Sequence, residues 1–538
     1  MRSQILIGGV ASIGLLLAVA ACSDGTTDAG PGSEDAGSSG SSGKSSSSSG
    51  SSGTDPDDEK DAGKKKDAGS SSGGPTLSSD TLAQGDQQLL AIAGDDAIYF
   101  DFGQTTTLYA VPIAGSVAPT KIADIGDNDD LLVNGGAVAV WTNIDAKGFG
   151  TLNVWTRATG LKTNVATGSG SGAFFRASED GSRIAFTQNL AVDGSNKLVS
   201  LEVGVRDTSA TTNAATLSGT TAAGNAFNYA SAAGDCAPSM GFAGKVFFAQ
   251  FCTGTDANAK DAKLVTVAAN GTQVVRLDAA ANNAAGTLKG TSSFVPSEDG
   301  TKLYVESKTG AGLFITVGTA GGTLIENNVA EGFMLPDGSA VIYRTTGNVL
   351  KKATTATPPV PTTLAAADAK GLLGISPDGK NILFHKLDPQ GDFDLVDVNI
   401  VDHTAATPSA VALVPTNTAL PIGVNGANSH FVFATDITET GAKLSSIAIA
   451  GGAAKTLGDT LGAILAPAGT GALSITNVEE EPDGQFTISD LTHYDTVTGK
   501  SSKVADSVPD GEIQVKAKRV VYTRYAAQGS GVYAVTLP

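Results

Sequence analysis

The chain has 538 residues, 41% hydrophobic and 17% charged, with a formal net charge of -19 and a pI near 4.6. That is enough apolar material for a large core, and repeat folds run to this length as single units. The charge excludes nucleic acid, whose phosphates demand clustered Lys and Arg, and it offers no attraction to anionic lipid headgroups.

Residues 1–22 open with Arg2, continue almost wholly apolar from Ile5 to Ala20, and end in Ala21-Cys22. A cation, a short apolar stretch and small residues before a cut make a secretory signal, and the stretch falls short of the ~20 apolar residues of a membrane span. Val19-Ala20-Ala21-Cys22 resembles the lipobox of bacterial lipoproteins. The resemblance implies cleavage after Ala21, a diacylglyceryl group on the Cys22 thiol and acylation of the new amine. Several chains on one residue anchor stably, at about 0.8 kcal/mol per buried CH₂. Ser23 stands where the family's inner-membrane retention signal would have aspartate, which implies the outer membrane. Residues 1–21 are therefore expected to be a signal peptide.

Residues 22–75 follow as the lipidated cysteine and a linker of Ser, Gly, Asp and Lys, with Asp-Ala-Gly recurring at Asp28, Asp35, Asp61 and Asp67. Such a segment buries too little surface to offset its ordering entropy, so a disordered tether is expected. Lys64–Lys66 lies among Asp57, Asp58, Glu59, Asp61 and Asp67, and is read as a solvated run.

From residue 76 to 538 the chain repeats. Ser178-Glu-Asp-Gly-Ser-Arg-Ile-Ala-Phe, Ser297-Glu-Asp-Gly-Thr-Lys-Leu-Tyr-Val, Leu335-Pro-Asp-Gly-Ser-Ala-Val-Ile-Tyr and Ser376-Pro-Asp-Gly-Lys-Asn-Ile-Leu-Phe are its clearest copies. Each is an Asp-Gly turn feeding a β-branched and aromatic strand. Six weaker copies keep the strand: Ala97–Phe100, Ala137–Trp141, Lys245–Phe248, His430–Phe433, Ala472–Thr476 and Arg519–Tyr522. The mean step is about 47 residues, the length of a propeller blade. Each period holds four strand candidates, the third exemplified by Leu108–Ile113 and Phe393–Val398, and none holds a helical pattern. The expected fold is all-β: a β-propeller of about ten four-stranded repeats, as one large ring or two smaller ones. The chain ends in a third strand, Gly531–Pro538, and Pro75–Leu82 is expected to supply the missing fourth. Asp483-Gly484 falls out of phase and is read as an internal turn.

The Ser/Leu-Pro/Glu-Asp-Gly-x-x-Ile-x-Phe pattern resembles the repeats of TolB-type periplasmic propellers, which implies that fold and protein recognition in the envelope. TolB's additional α/β domain has no counterpart here, so a Tol-system role does not carry over. The turn residues Asp180, Gly181, Asp299, Gly300, Asp337, Gly338, Asp378 and Gly379 are read as structural.

Cys236 and Cys252 lie in the longest repeat, sixteen residues apart in a chain read as exported. A disulfide pinning an enlarged loop is expected there, with two buried free thiols as the alternative. The four histidines, His385, His403, His430 and His493, form no metal or catalytic motif and are read as structural. A nucleophile elbow and a phosphate loop are both missing from the pattern. Asp127-Asn128-Asp129-Asp130 and Asp388, Asp392 and Asp394 offer oxygen ligands that suit calcium, but without full loop spacing, so no metal or cofactor is assigned. The function expected is a membrane-anchored envelope lipoprotein whose propeller is a scaffold for a protein or glycan, more a binder than an enzyme. The alternative is a propeller hydrolase or lyase acting on an envelope or environmental polymer, its carboxylates brought from distant blades.

Overall fold

The computed structural model describes residues 75–538 except 116, 171–174, 193, 195–197, 221–238, 254–260, 278–293, 307–310, 317–321, 367, 392, 439, 481–486, 510 and 527–528. Every regular element among the described residues is a β-strand. In the first blade the strands run Gln87–Ala93, Asp96–Phe102, Thr106–Pro112 and Thr120–Asp124, each antiparallel to the last. The second repeats this with Asp130–Asn134, Ala137–Thr142, Phe149–Thr156 and Gly160–Gly170. Further four-stranded sheets follow at 176–220, 239–277, 294–326, 329–365 and 462–509.

The seventh and eighth blades share one seven-stranded sheet. Ala410–Val424 is the outer strand of one and the inner strand of the next: Val401 pairs with Ala410 at one end, and Leu420 with Ala434 near the other. The tenth blade has Ile513–Lys516, Arg519–Arg524 and Gly531–Thr536 from the C-terminus, with Ser79–Gln84 as its outer strand. The count of ten and the closure by the N-terminal strand thus match expectation, although that strand lies at Ser79–Gln84 rather than Pro75–Leu82.

Stacking of the sheets explains why the second strands read as unbroken apolar runs. Val138 and Val140 pack into a cluster with Ile98, Phe100 and Leu108 of the first blade. Ala137, Ala139 and Trp141 pack the other way, against Phe175, Ile184 and Phe186 of the third. A strand buried on both faces loses polar alternation, and each large side chain so buried contributes roughly 1.5–3 kcal/mol. At the seam, Val521 joins Leu89, Ala97 and Tyr99 of the first blade, while Val520 and Tyr522 join Leu473 and Leu491 of the ninth.

Neighbouring blades touch in chain order around one ring. Gly94 N donates to Gly135 O at 3.2 Å, Gly136 N to Ser178 O at 3.0 Å, and Arg176 Nε to Met240 O at 3.2 Å. The Phe248 and Phe294 rings meet edge to face at 5.0 Å. Glu298 N then reaches Pro336 O at 2.8 Å, Ala369 N reaches Asn348 O at 3.0 Å, and Asn425 Nδ2 reaches Thr496 Oγ1 at 2.8 Å. Leu77 N donates to Lys503 O at 2.9 Å, and Arg519 Nε to Ile113 O at 3.0 Å closes the circle. Of the two arrangements expected, the contacts describe the single ring.

A second expected strand is displaced. Phe393–Val398 is not a strand throughout: the third strand of the seventh blade is Val396–Asp402. Asp394 has a positive φ of 50°, and Gln390 bridges Leu395, so Phe393 sits in a hairpin tip.

Candidate functional site

Alternating strand direction gives the ring two unlike faces. Turns after the inner and third strands gather on one, the turn face; connections after the second and outer strands gather on the other, the loop face. Ser79–Gln84 is an outer strand, so the chain enters at the turn face, where Thr76 bridges Lys503. Gly531–Thr536, a third strand, ends on that face too.

The Asp-Gly turns build the turn face. Ser178 Oγ donates to Asp180 Oδ1 at 2.7 Å, Ser182 N donates to the same oxygen at 2.9 Å, and Arg183 N donates to Ser178 Oγ at 3.0 Å. The same triangle recurs at Ser297, Asp299 and Lys302, and at Ser376, Asp378 and Asn381. Asp337 receives Ser339 N at 2.9 Å, with Leu335 in place of the serine. Gly181, Gly300, Gly338 and Gly379 hold φ of 66° to 73°, the left-handed region open to glycine. Gly181 also abuts the backbone of Gly136, so a side chain there would collide with the neighbouring blade. Hydrogen bonds from Ser182 N, Ser178 and Ser182 hold the Asp180 carboxyl below the usual range against the raising effect of its partial burial, which is the largest single influence.

The loop face is organised differently. In the seventh blade Asp397, 4% exposed, accepts Lys386 N at 3.0 Å, Leu387 N at 2.8 Å and Asn399 Nδ2 at 2.7 Å. Its own N–H donates to Asn417 Oδ1 at 3.0 Å, and Asn417 Nδ2 donates to Asp388 O at 2.6 Å. A buried carboxylate with its lone pairs occupied thereby fixes the start of the loop 386–395, at Lys386–Asp388. That loop holds Leu387 and Phe393 in solvent, at 46% and 45% exposed. Leu420, Leu461 and Val478 are exposed on the same face of the seventh to ninth blades. Across the ring, a groove of about 470 Å³ opens between the second and third blades.

Two ionisable groups near the inner strands belong to no sequence motif. Glu512 lies just before the inner strand Ile513–Lys516, and Gln88 Nε2 of the first blade donates to its Oε1 at 2.7 Å. Its Oε2 is buried without a hydrogen bond of ordinary geometry. Burial pushes its pKa up to about 7, against the lowering influence of Thr523 and Gln88. Glu331, on the inner strand Val329–Met334, accepts Arg344 Nε at 2.7 Å and Leu372 N at 3.0 Å, tying the sixth blade to the seventh.

The histidines sit apart. His385 Nδ1 meets Leu387 O at 2.8 Å, His403 Nε2 meets Gly379 O at 2.7 Å, and His430 Nδ1 meets Ser429 Oγ at 3.1 Å. His493 is 3% exposed, and burial lowers its pKa. Asp129 and Asp130 each commit an oxygen to a backbone N–H, from Gly126 and Leu131. Among the described residues no three His, Cys, Asp or Glu side chains converge on a metal position; Asp392 lies outside them. Ala21, Cys22, Cys236 and Asp483-Gly484 also lie outside the described residues. Cys252 belongs to the strand Val246–Thr253, its backbone opposite Ala262.

A ring of four-stranded sheets, stitched by turns on one face and open in loops on the other, makes this chain a β-propeller. No family model matches it, and no curated protein does. Among solved structures it is similar to the tricorn protease at 12% identity and a TM-score of 0.32, over 84% of this chain and 47% of that one. This chain thus spans about half the length of that neighbour. It is similar to TolB from Acinetobacter baumannii at 12% identity and a TM-score of 0.27, over 65% of this chain and 81% of that one. The β-propeller domain of the Trilobed protease from Pyrococcus furiosus gives 10% identity and a TM-score of 0.30, over 56% of this chain and 96% of that one.

Proposed function

We propose that the chain is an envelope lipoprotein, anchored through Cys22 in the outer membrane, whose propeller binds a protein or glycan partner through its loop face. The observation that carries this reading is the seventh-blade loop. Asp397 ties down its first residues, and the loop displays Leu387 and Phe393 in solvent, apolar side chains of the kind recognition uses. Topology supports the same reading, because the described chain enters the domain at the turn face, opposite the loop face. A linker of this composition and length has a root-mean-square span of roughly 40 Å, enough for the domain to turn above a bilayer.

The test is a crosslinking pull-down from intact cells, comparing the native chain with Cys22→Ala. Membrane retention and a specific partner, both lost in Cys22→Ala, are expected. A native chain that stays anchored and captures nothing would refute the binding role; one found free of membranes would refute the anchor.

A further inference from the structure

The groove between the second and third blades has a built wall. Asp145 Oδ1 accepts Lys147 N at 2.8 Å and Phe149 N at 3.0 Å. Asp145 N donates to Phe149 O, and Gly148 N to Asp145 O, both at 2.9 Å. The hairpin tip is therefore closed on itself and holds Phe149 at the groove. Gly150 makes this possible, since a Cβ there would stand 2.9 Å from Thr142 O and 3.0 Å from Ile144 Cγ1. The floor includes Gly168, with φ of 57°, and the far wall is Leu190, Ala191 and Val192 at the end of the strand Arg183–Val192. Beneath it, Trp141 Nε1 donates to buried Ser169 Oγ at 3.0 Å and fixes the floor strand.

Among the described residues, several polar side-chain atoms on this groove have no hydrogen-bond partner. Asp145 uses Oδ1 for both backbone donors, and no hydrogen bond from the described residues reaches its Oδ2. Among the described residues, the side chains of Asn143, Lys147 and Thr151 make no hydrogen bond. The groove is lined mainly by polar groups, an amide, a hydroxyl, a carboxylate oxygen and an ammonium, with Phe149 and Leu190 as its smaller apolar part. Asp145 and Lys147 cancel in charge, so the lining favours no ionic ligand. The volume falls in the range of about 300–1,000 Å³ typical of small-ligand sites.

We propose that this groove binds a neutral oligosaccharide, with the C–H face of a pyranose ring on Phe149 and Leu190 and its hydroxyls on Asn143, Asp145 Oδ2, Lys147 and Thr151. A sugar hydroxyl both donates and accepts, and this mainly polar lining supplies both partners beside Phe149 and Leu190. The inference rests on the loop face being the binding surface, and it names a ligand class for one part of that surface.

The experiment is calorimetric titration of the full chain with three neutral probes: maltotetraose, cellotetraose and N-acetylchitotetraose. At least one is expected to bind saturably, and Asp145→Asn and Phe149→Leu are each expected to weaken it about tenfold, the loss of one hydrogen bond or stacking contact. Asp145→Asn keeps an Oδ1 acceptor for Lys147 N and Phe149 N, so an unchanged melting midpoint separates lost ligand contact from lost fold. No saturable binding by any probe, or binding that survives both substitutions, overturns the proposal. So does a casein peptide digest that occupies the groove where the sugars do not. A cellular partner captured equally by both variants would leave the loop-face reading standing while the sugar site fails.

Discussion

Glutamine in place of Glu512 removes a carboxylate that the ring seam keeps almost dry. The side chain is 8% exposed, and its pKa is raised from 4.5 to about 7 by burial, with Thr523 and Gln88 opposing. The folded chain therefore holds this proton at pH values where the unfolded chain has released it. Between about pH 4.5 and 7 the native state binds more protons, so stability falls as pH rises through that window. At 1.36 kcal/mol per unit, the full displacement is worth roughly 3 kcal/mol, most of it expressed between pH 5 and pH 8. A domain of this size unfolds with an entropy near 1 kcal/mol/K, so that figure corresponds to about 2–3 °C in melting temperature. Glutamine cannot titrate, yet its carbonyl still accepts from Gln88. The assay is scanning calorimetry of both forms at pH 5, 6, 7 and 8. The variant's midpoint should gain about 2–3 °C on the native form between pH 5 and 8, whatever its offset at pH 5. A pH-independent difference would refute the argument that Glu512 is buried at the seam with a displaced proton.

Two turn glycines separate strain from collision. Gly379→Ala meets nothing within 4 Å and should cost about 1 kcal/mol for its φ of 73°. Gly181→Ala adds a clash with Gly136 to a φ of 68° and should cost about 3 kcal/mol or more; urea unfolding compares the two. Asp397→Ala leaves the N–H groups of Lys386 and Leu387 and the Asn399 amide without their acceptor. It should cost about 1–3 kcal/mol, loosen the start of the 386–395 loop in hydrogen exchange, and reduce partner capture.

The fold was legible because its determinants are local. An Asp-Gly pair sets a turn within four residues, and a strand buried on both faces, such as Ala137–Trp141, needs an unbroken apolar run. The same logic failed where an element depends on distant partners. Polar Thr416-Asn417-Thr418 lies inside the strand Ala410–Val424, with Asn417 hydrogen-bonded to Asp397 N and Asp388 O. Phe393 reads as strand core and lies at an exposed tip, because Asp394 turns the backbone. The site was less legible than the fold. Glu512 meets Gln88 across 424 positions of sequence, and the groove is assembled from two blades. Neither has a spacing to find; a carboxylate placed just before an apolar strand, as in Glu512-Ile513, is the faint signal that sequence offers.

The most direct test of the binding role is site-specific photocrosslinking in intact cells, with the crosslinker at Asp388 on the loop face or at Lys518 on the turn face. A discrete adduct is expected from Asp388 and none from Lys518. An adduct from Lys518 alone would contradict this, placing recognition on the face where the described chain enters.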